Sequence, residues 1–109
     1  MQVYLTAMNI EQKLTAIKIK AFIPFDNTTE GGDIEILPNH ENMIFTTQNT
    51  HLYIMNNQNT IKYAVGDCVI TIQNNNITIT SNYIIPCDTN SKQILKQFEK
   101  LPEKIQNLL

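Results

Sequence analysis

The sequence has no tryptophan, three glycines and two cysteines among 109 residues, and each shortage removes a class of protein. Without Trp, and with only four Tyr and four Phe, there is little material for an exposed aromatic platform that stacks on glycans or anchors peptides. Gly31, Gly32 and Gly66 form no GxxxxGK loop between a strand and a helix, so no phosphate cradle is expected. Cys68 and Cys87 lack metal-ligand spacing and are too few for a disulfide framework, which reads as free thiols in a reducing compartment. Charged residues reach 17% and the net charge is -2, with the basic residues scattered. Nucleic acid, whose phosphates need a basic face, is therefore excluded as a partner. No stretch approaches the roughly 20 apolar residues that cross a bilayer, so direct membrane insertion is not expected. The opening MQVYLTAMNIEQKL lacks a basic segment followed by an apolar one, so it does not read as a secretion signal.

What is present is a pattern of period two. At 42% apolar the chain can bury a core, and its length suits one domain with a small appendage. Val3, Leu5 and Ala7 alternate with Tyr4 and Thr6. Ile17, Ile19, Ala21 and Ile23 point one way, with Lys18 and Lys20 the other. Leu52 and Ile54, then Ile61, Tyr63 and Val65, then Cys68, Ile70 and Ile72, and finally Ile77 and Ile79 repeat the theme. Turn-forming residues fall between, at 9–13, 26–33, 56–59, 66–67 and 74–76. Residues 70–80 make the clearest hairpin, two alternating arms around an Asn-rich turn. The expected fold is mainly β: a two-sheet β-sandwich of about ten short strands over residues 1–87.

The period then changes. Ile94, Leu95, Phe98, Leu101, Ile105 and Leu108 recur at three- and four-residue spacing, predicting a short amphipathic helical tail over 88–109. Asp88, Thr89, Asn90 and Ser91 offer N-caps, and Pro102 should end the helix, leaving a short turn beyond it. So short a helix must bury its stripe on the sandwich or on a partner. Its Lys92, Lys96, Lys100 and Lys104 read as a solvated face, because Glu99 and Glu103 dilute any attraction to a membrane surface.

Catalytic sets are hard to assemble. The run Glu30 to Glu35, with His40 and Glu41 beyond it, holds the only cluster of acid–base side chains. Asp33 and Glu35 share a strand face, but His40 lies past a proline and has no paired histidine, while His51 stands alone on a strand. Ser81 and Ser91 lack a nucleophile elbow, and neither cysteine has a histidine near it in sequence. The chain is expected to be no enzyme, with no catalytic residue, metal or cofactor.

The segment Asp33-Ile34-Glu35-Ile36-Leu37-Pro38-Asn39-His40 resembles the loop-to-strand region of the ATP synthase epsilon subunit, the delta subunit of mitochondria. That family carries an acidic residue, a short apolar strand and a Pro-Gly/Asn-His turn. Met8 to Lys13 is similar to the family's first turn, Ile17 to Pro24 to its proline-ended strand, and Val65 to Ile72 with Asn76 to Ile79 to its late hairpin. The resemblance covers residues 1–87 and implies a ten-stranded sandwich on the central stalk. There it would clasp the gamma subunit, touch the polar loops of the c-ring and couple rotation to ATP synthesis. Catalysis would belong to the nearby alpha/beta head. It further implies a peripheral position at the cytoplasmic face of a bacterial inner membrane; apart from the resemblance, the isolated chain is expected to be monomeric. Asp33 matches the acidic position facing the c-ring and His40 the turn histidine, and Glu35 and Asn39 complete the expected partner-contact set. A generic β-sandwich interaction module is the alternative. Glu35 stands where the family usually has Gly, Pro24-Phe25-Asp26 replaces a Pro-Gly turn, and the loop at 27–32 is longer than usual. The tail lacks Ala and the family's Asp–Arg motif for ATP, so neither ATP sensing nor inhibition by an extended helix is expected.

Overall fold

The computed structural model describes residues 1–8, 10–24, 31–87 and 103–108. Ten strands run β1 (Gln2–Thr6), β2 (Glu11–Thr15), β3 (Lys18–Pro24), β4 (Gly31–Ile36), β5 (Met43–Thr47), β6 (Thr50–Met55), β7 (Thr60–Val65), β8 (Cys68–Gln73), β9 (Asn76–Ser81) and β10 (Ile84–Pro86). One helical turn, α1 (Glu103–Gln106), follows. The strands form two five-stranded sheets, ordered β2-β1-β9-β8-β5 (sheet I) and β10-β7-β6-β3-β4 (sheet II). All pairs are antiparallel except β1 with β9, where the chain's first strand lies beside a late one.

Alternation explains the layering. Val3 and Leu5 of β1, Ile70 and Ile72 of β8, and Ile77 and Ile79 of β9 turn inward from sheet I. Ile19 and Ala21 of β3, Leu52 and Ile54 of β6, and Tyr63 and Val65 of β7 meet them from sheet II. β-branched isoleucine is stiff at its first side-chain torsion and packs well on a pleated surface, which suits both layers. The predicted two-sheet sandwich of about ten short strands is the architecture found.

Several boundaries differ from expectation. Ile17 was placed inward with Ile19, but β3 begins at Lys18 and Ile17 sits in the bend before it, 45% exposed. Its amide bonds the Met55 carbonyl at 2.8 Å, which holds it at the sheet's end, outside the pleat. The turn expected at 9–13 is shorter: Ala7 and Ile10 exchange backbone bonds, and Glu11 opens β2. Pairing with β3 carries β4 back to Gly31, so the turn-forming stretch expected at 26–33 gives way to strand before Asp33, which shares a strand face with Glu35 as expected. The helix expected between residues 91 and 101 lies outside the described residues.

Beyond Pro102 the chain forms the single turn of α1, and this segment is packed. Ala64 and Ile85 lie between inward-facing residues of their strands, so they face away from the core, yet both are completely buried. The register sets His51, Ala64 and Ile85 side by side on the outer face of sheet II. Residues 103–108 reach this face at His51. Ile105 is 1% exposed there, and His51 Nε2 donates to the Leu108 carbonyl at 2.6 Å.

Candidate docking surface

The connections at 16–17, 37–42, 56–59 and 74–75 all emerge at one end of the sandwich, as the pairing registers dictate. In sheet I Gln2 opposes Thr15, Gln73 opposes Asn76 and Met43 opposes Ile72. In sheet II Met55 opposes both Lys18 and Thr60, while Ile36 opposes Ile19. Asparagine dominates this end: Asn39 and Asn42 in one loop, Asn56, Asn57 and Asn59 in the next, Asn74 and Asn75 in the third. Glu41 is the one charged residue within these connections.

Each loop closes through local chemistry. Pro38 presets the turn, and Asn39 follows with φ of 64°, the left-handed region that Asn tolerates better than most side chains. The His40 amide then bonds the Leu37 carbonyl at 3.2 Å, closing the turn. The His40 ring is half-buried, with Nδ1 placed 2.9 Å from the Glu41 carbonyl, so Nδ1 carries the proton in that bond. Asn74 and Asn75 have φ of 50° and 65°, the consecutive positive pair that a two-residue hairpin needs to match strand twist. Asn56 accepts at Oδ1 from the amides of Gln58 and Asn59, both at 2.9 Å, an Asx-type closure.

The four residues expected to contact a partner fall into two groups. Asn39 and His40 sit at the tip of the turn. Asp33 and Glu35 lie on the exposed face of β4, where each meets a lysine of β3: Lys20 Nζ is 3.4 Å from Asp33 Oδ2 and Lys18 Nζ is 3.0 Å from Glu35 Oε1. The lysines predicted to face outward on β3 thus neutralise the β4 carboxylates. All four side chains are at least a third exposed, so such pairs contribute about 0–1 kcal/mol each. Their consequence is a flank of nearly zero net charge beside the turn. Composition could not reveal the pairing of Lys18 and Lys20 with these acids, because it depends on the antiparallel register.

The opposite end offers an open hollow of about 470 Å³ lined by Ile23, Thr46, Thr47, Gln48, Asp67, Cys68 and Val69. Burial pushes the Cys68 thiol up and the Asp67 charge adds to this, against hydrogen bonds from Thr47 that lower it. Thr47 Oγ1 lies 2.9 Å from Cys68 Sγ. Such a thiol stays protonated near neutral pH and makes a poor nucleophile. Among the described residues no three His, Cys, Asp or Glu side chains converge on a point that could hold a metal.

The described residues thus make a ten-stranded, two-sheet sandwich that gathers polar turns at one end. Residues 25–86, which include β4 through β10, match the model of the ATP synthase delta/epsilon chain β-sandwich domain, and the chain belongs to that family. Among curated proteins none matches. The fold is similar to a chain in the Euglena gracilis mitochondrial ATP synthase (OSCP/F1/c-ring, rotational state 1), with TM-score 0.61 and 13% identity. That match covers 87% of this chain and 58% of the other, so this chain spans little more than half of its counterpart. A chain of the Tetrahymena thermophila mitochondrial ATP synthase central stalk and c-ring matches at TM-score 0.61 and 11% identity, over 91% of this chain and 73% of that one. At these identities the likeness is one of fold.

Proposed function

We propose that this chain is a non-catalytic central-stalk subunit of a proton-translocating F-type ATP synthase. It docks on the gamma subunit and on the polar loops of the c-ring, near the alpha/beta head, and couples rotation to ATP synthesis. The observation that carries this reading is the family match across residues 25–86, which includes the turn at Pro38–His40 and the two strands it joins, β4 and β5. The compared chains come from assemblies described as F1 with c-ring and as central stalk with c-ring, which agrees with that placement.

The site's chemistry suits torque transmission. A protruding turn braced by hydrogen bonds can engage neighbouring loops by shape and polar contact, without a deep pocket. Asn39 and His40 would touch the c-ring loops, with Asp33 and Glu35 on the flank. The resulting position is peripheral, at the membrane face bearing the catalytic head: the cytoplasmic face of a bacterial inner membrane, or its mitochondrial equivalent. The domain over 1–87 docks, and of the tail over 88–109 the described residues 103–108 meet sheet II at His51.

The test is reconstitution. A tagged full-length chain mixed with an ATP synthase depleted of its delta/epsilon subunit should recover gamma and the head on pull-down. It should also restore proton pumping per ATP hydrolysed. Recovery of neither gamma nor c-ring would overturn the proposal.

A further inference from the structure

The turn at Pro38–His40 is not held by its own residues alone. The Asn39 amide donates to Asn75 Oδ1 at 2.9 Å, and the Asn74 amide donates to Asn42 Oδ1 at 2.8 Å. The two bonds are reciprocal: each loop supplies one side-chain acceptor and receives one backbone amide. They join segments 32 to 36 residues apart in sequence. One loop crosses from sheet II to sheet I, while the other is the β8–β9 hairpin within sheet I. Among the described residues, the three non-glycine residues with positive φ, Asn39, Asn74 and Asn75, all lie at this junction. Backbone in that region costs about 1–2 kcal/mol per ordinary residue, which the surrounding bonds must offset.

We propose that the β8–β9 turn, Asn74 and Asn75, is a second contact element of the docking surface, locked to the Pro38–His40 turn by this reciprocal brace. The inference rests on the docking reading above and extends it to a part of the chain that neither motif nor charge singled out. Asn42 and Asn75 are positioning residues: through them the two turns move as one body. Because Glu41 is the one charge across these loops, the surface offers carboxamides and backbone groups. It therefore fits an uncharged, hydrogen-bonding loop of the c-ring in preference to a charged one. An added charge would be desolvated without a partner on contact, which is costly.

Three full-length variants separate the parts. Asn75→Gly keeps the positive φ and removes the acceptor. Asn75→Asp keeps an acceptor for the Asn39 amide and adds a charge. Gln48→Glu, exposed at the far end, makes the same charge change as a control. Amide exchange measured by NMR should be about fivefold faster at Asn39 in Asn75→Gly, as expected for one lost hydrogen bond, and unchanged in Asn75→Asp. Binding to a purified gamma–c-ring assembly should weaken at least about fivefold in both Asn75 variants and stay at the wild-type level in Gln48→Glu. Unchanged Asn39 exchange in Asn75→Gly overturns the brace, and full binding by Asn75→Asp overturns the contact. Either result leaves the docking reading standing if the wild type binds. A wild-type chain that does not bind overturns both.

Discussion

Asparagine carries backbone conformations at this protein's turns that glycine carries elsewhere. Asn39 and the pair Asn74 and Asn75 sit at positive φ, and Gly32 and Gly66 do not. Replacing Asn39 by Ala should cost about 1–2 kcal/mol in chemical denaturation, whereas Asn39→Gly should stay near wild type. The ion pairs on β4 should behave differently. Lys20→Ala or Lys18→Ala should lower stability by less than about 1 kcal/mol, because the partners are exposed. Cys68 supplies a pH dependence. Its thiol is raised in the folded state mainly by desolvation, so the fold holds that proton more tightly than the unfolded chain does. The contribution is therefore complete below the ordinary thiol range and is lost as pH climbs above about 9. Tyr63, raised by burial, extends the loss further into the alkaline range. Cys68→Ala should flatten the first part of that decline in denaturation curves followed against pH.

At the scale of elements, the most informative contact is the return of the chain's end to sheet II. Gly66 joins β7 to β8 beneath it, and a Cβ there would stand 3.3 Å from Ser81 Oγ and 3.6 Å from Ile105 Cδ1. Gly66→Val should therefore crowd both neighbours and cost about 1–3 kcal/mol in denaturation. Ile105→Asp places a charge in a site 1% exposed. It should detach residues 103–108 and break the His51–Leu108 bond, seen as faster hydrogen exchange beside His51 in β6 while β8 and β9 stay protected. Legibility varied with the element. β1, β3, β6, β7, β8 and β9 stood out because their faces see different solvents, which writes alternation into the sequence. β2, β5 and β10 did not. Glu11, Gln12, Lys13 and Thr15 of β2 are exposed and Leu14 half-buried, so an edge strand gives almost no periodic signal. β10 has three residues, too few for a period.

For the whole molecule, the docking reading makes a prediction about salt. The tip is nearly uncharged and the β4 carboxylates are neutralised by Lys18 and Lys20. Association with a gamma–c-ring assembly should change by less than about threefold between about 50 and about 300 mM salt, well under the response of an ion-steered interface. A steep salt dependence in surface-binding measurements would count against the neutral surface. The tip was partly visible in advance, since Pro38-Asn39-His40 is a local turn motif and Asp33 and Glu35 follow strand alternation. Its other half was not, because Asn75 and Asn42 matter through bonds to residues far away in sequence.

The sequence by itself determined the class of fold, the hairpin at 70–80 and the family resemblance. Each of these follows from interactions among near neighbours, where period and turn chemistry are written residue by residue. Only the tertiary structure decided which carboxylates meet which lysines, that two Asn-rich turns brace one another, and that the Leu108 carbonyl meets His51 on sheet II. These depend on strand register and on the packing of distant segments, and a one-residue shift in pairing would undo them without altering the pattern along the chain.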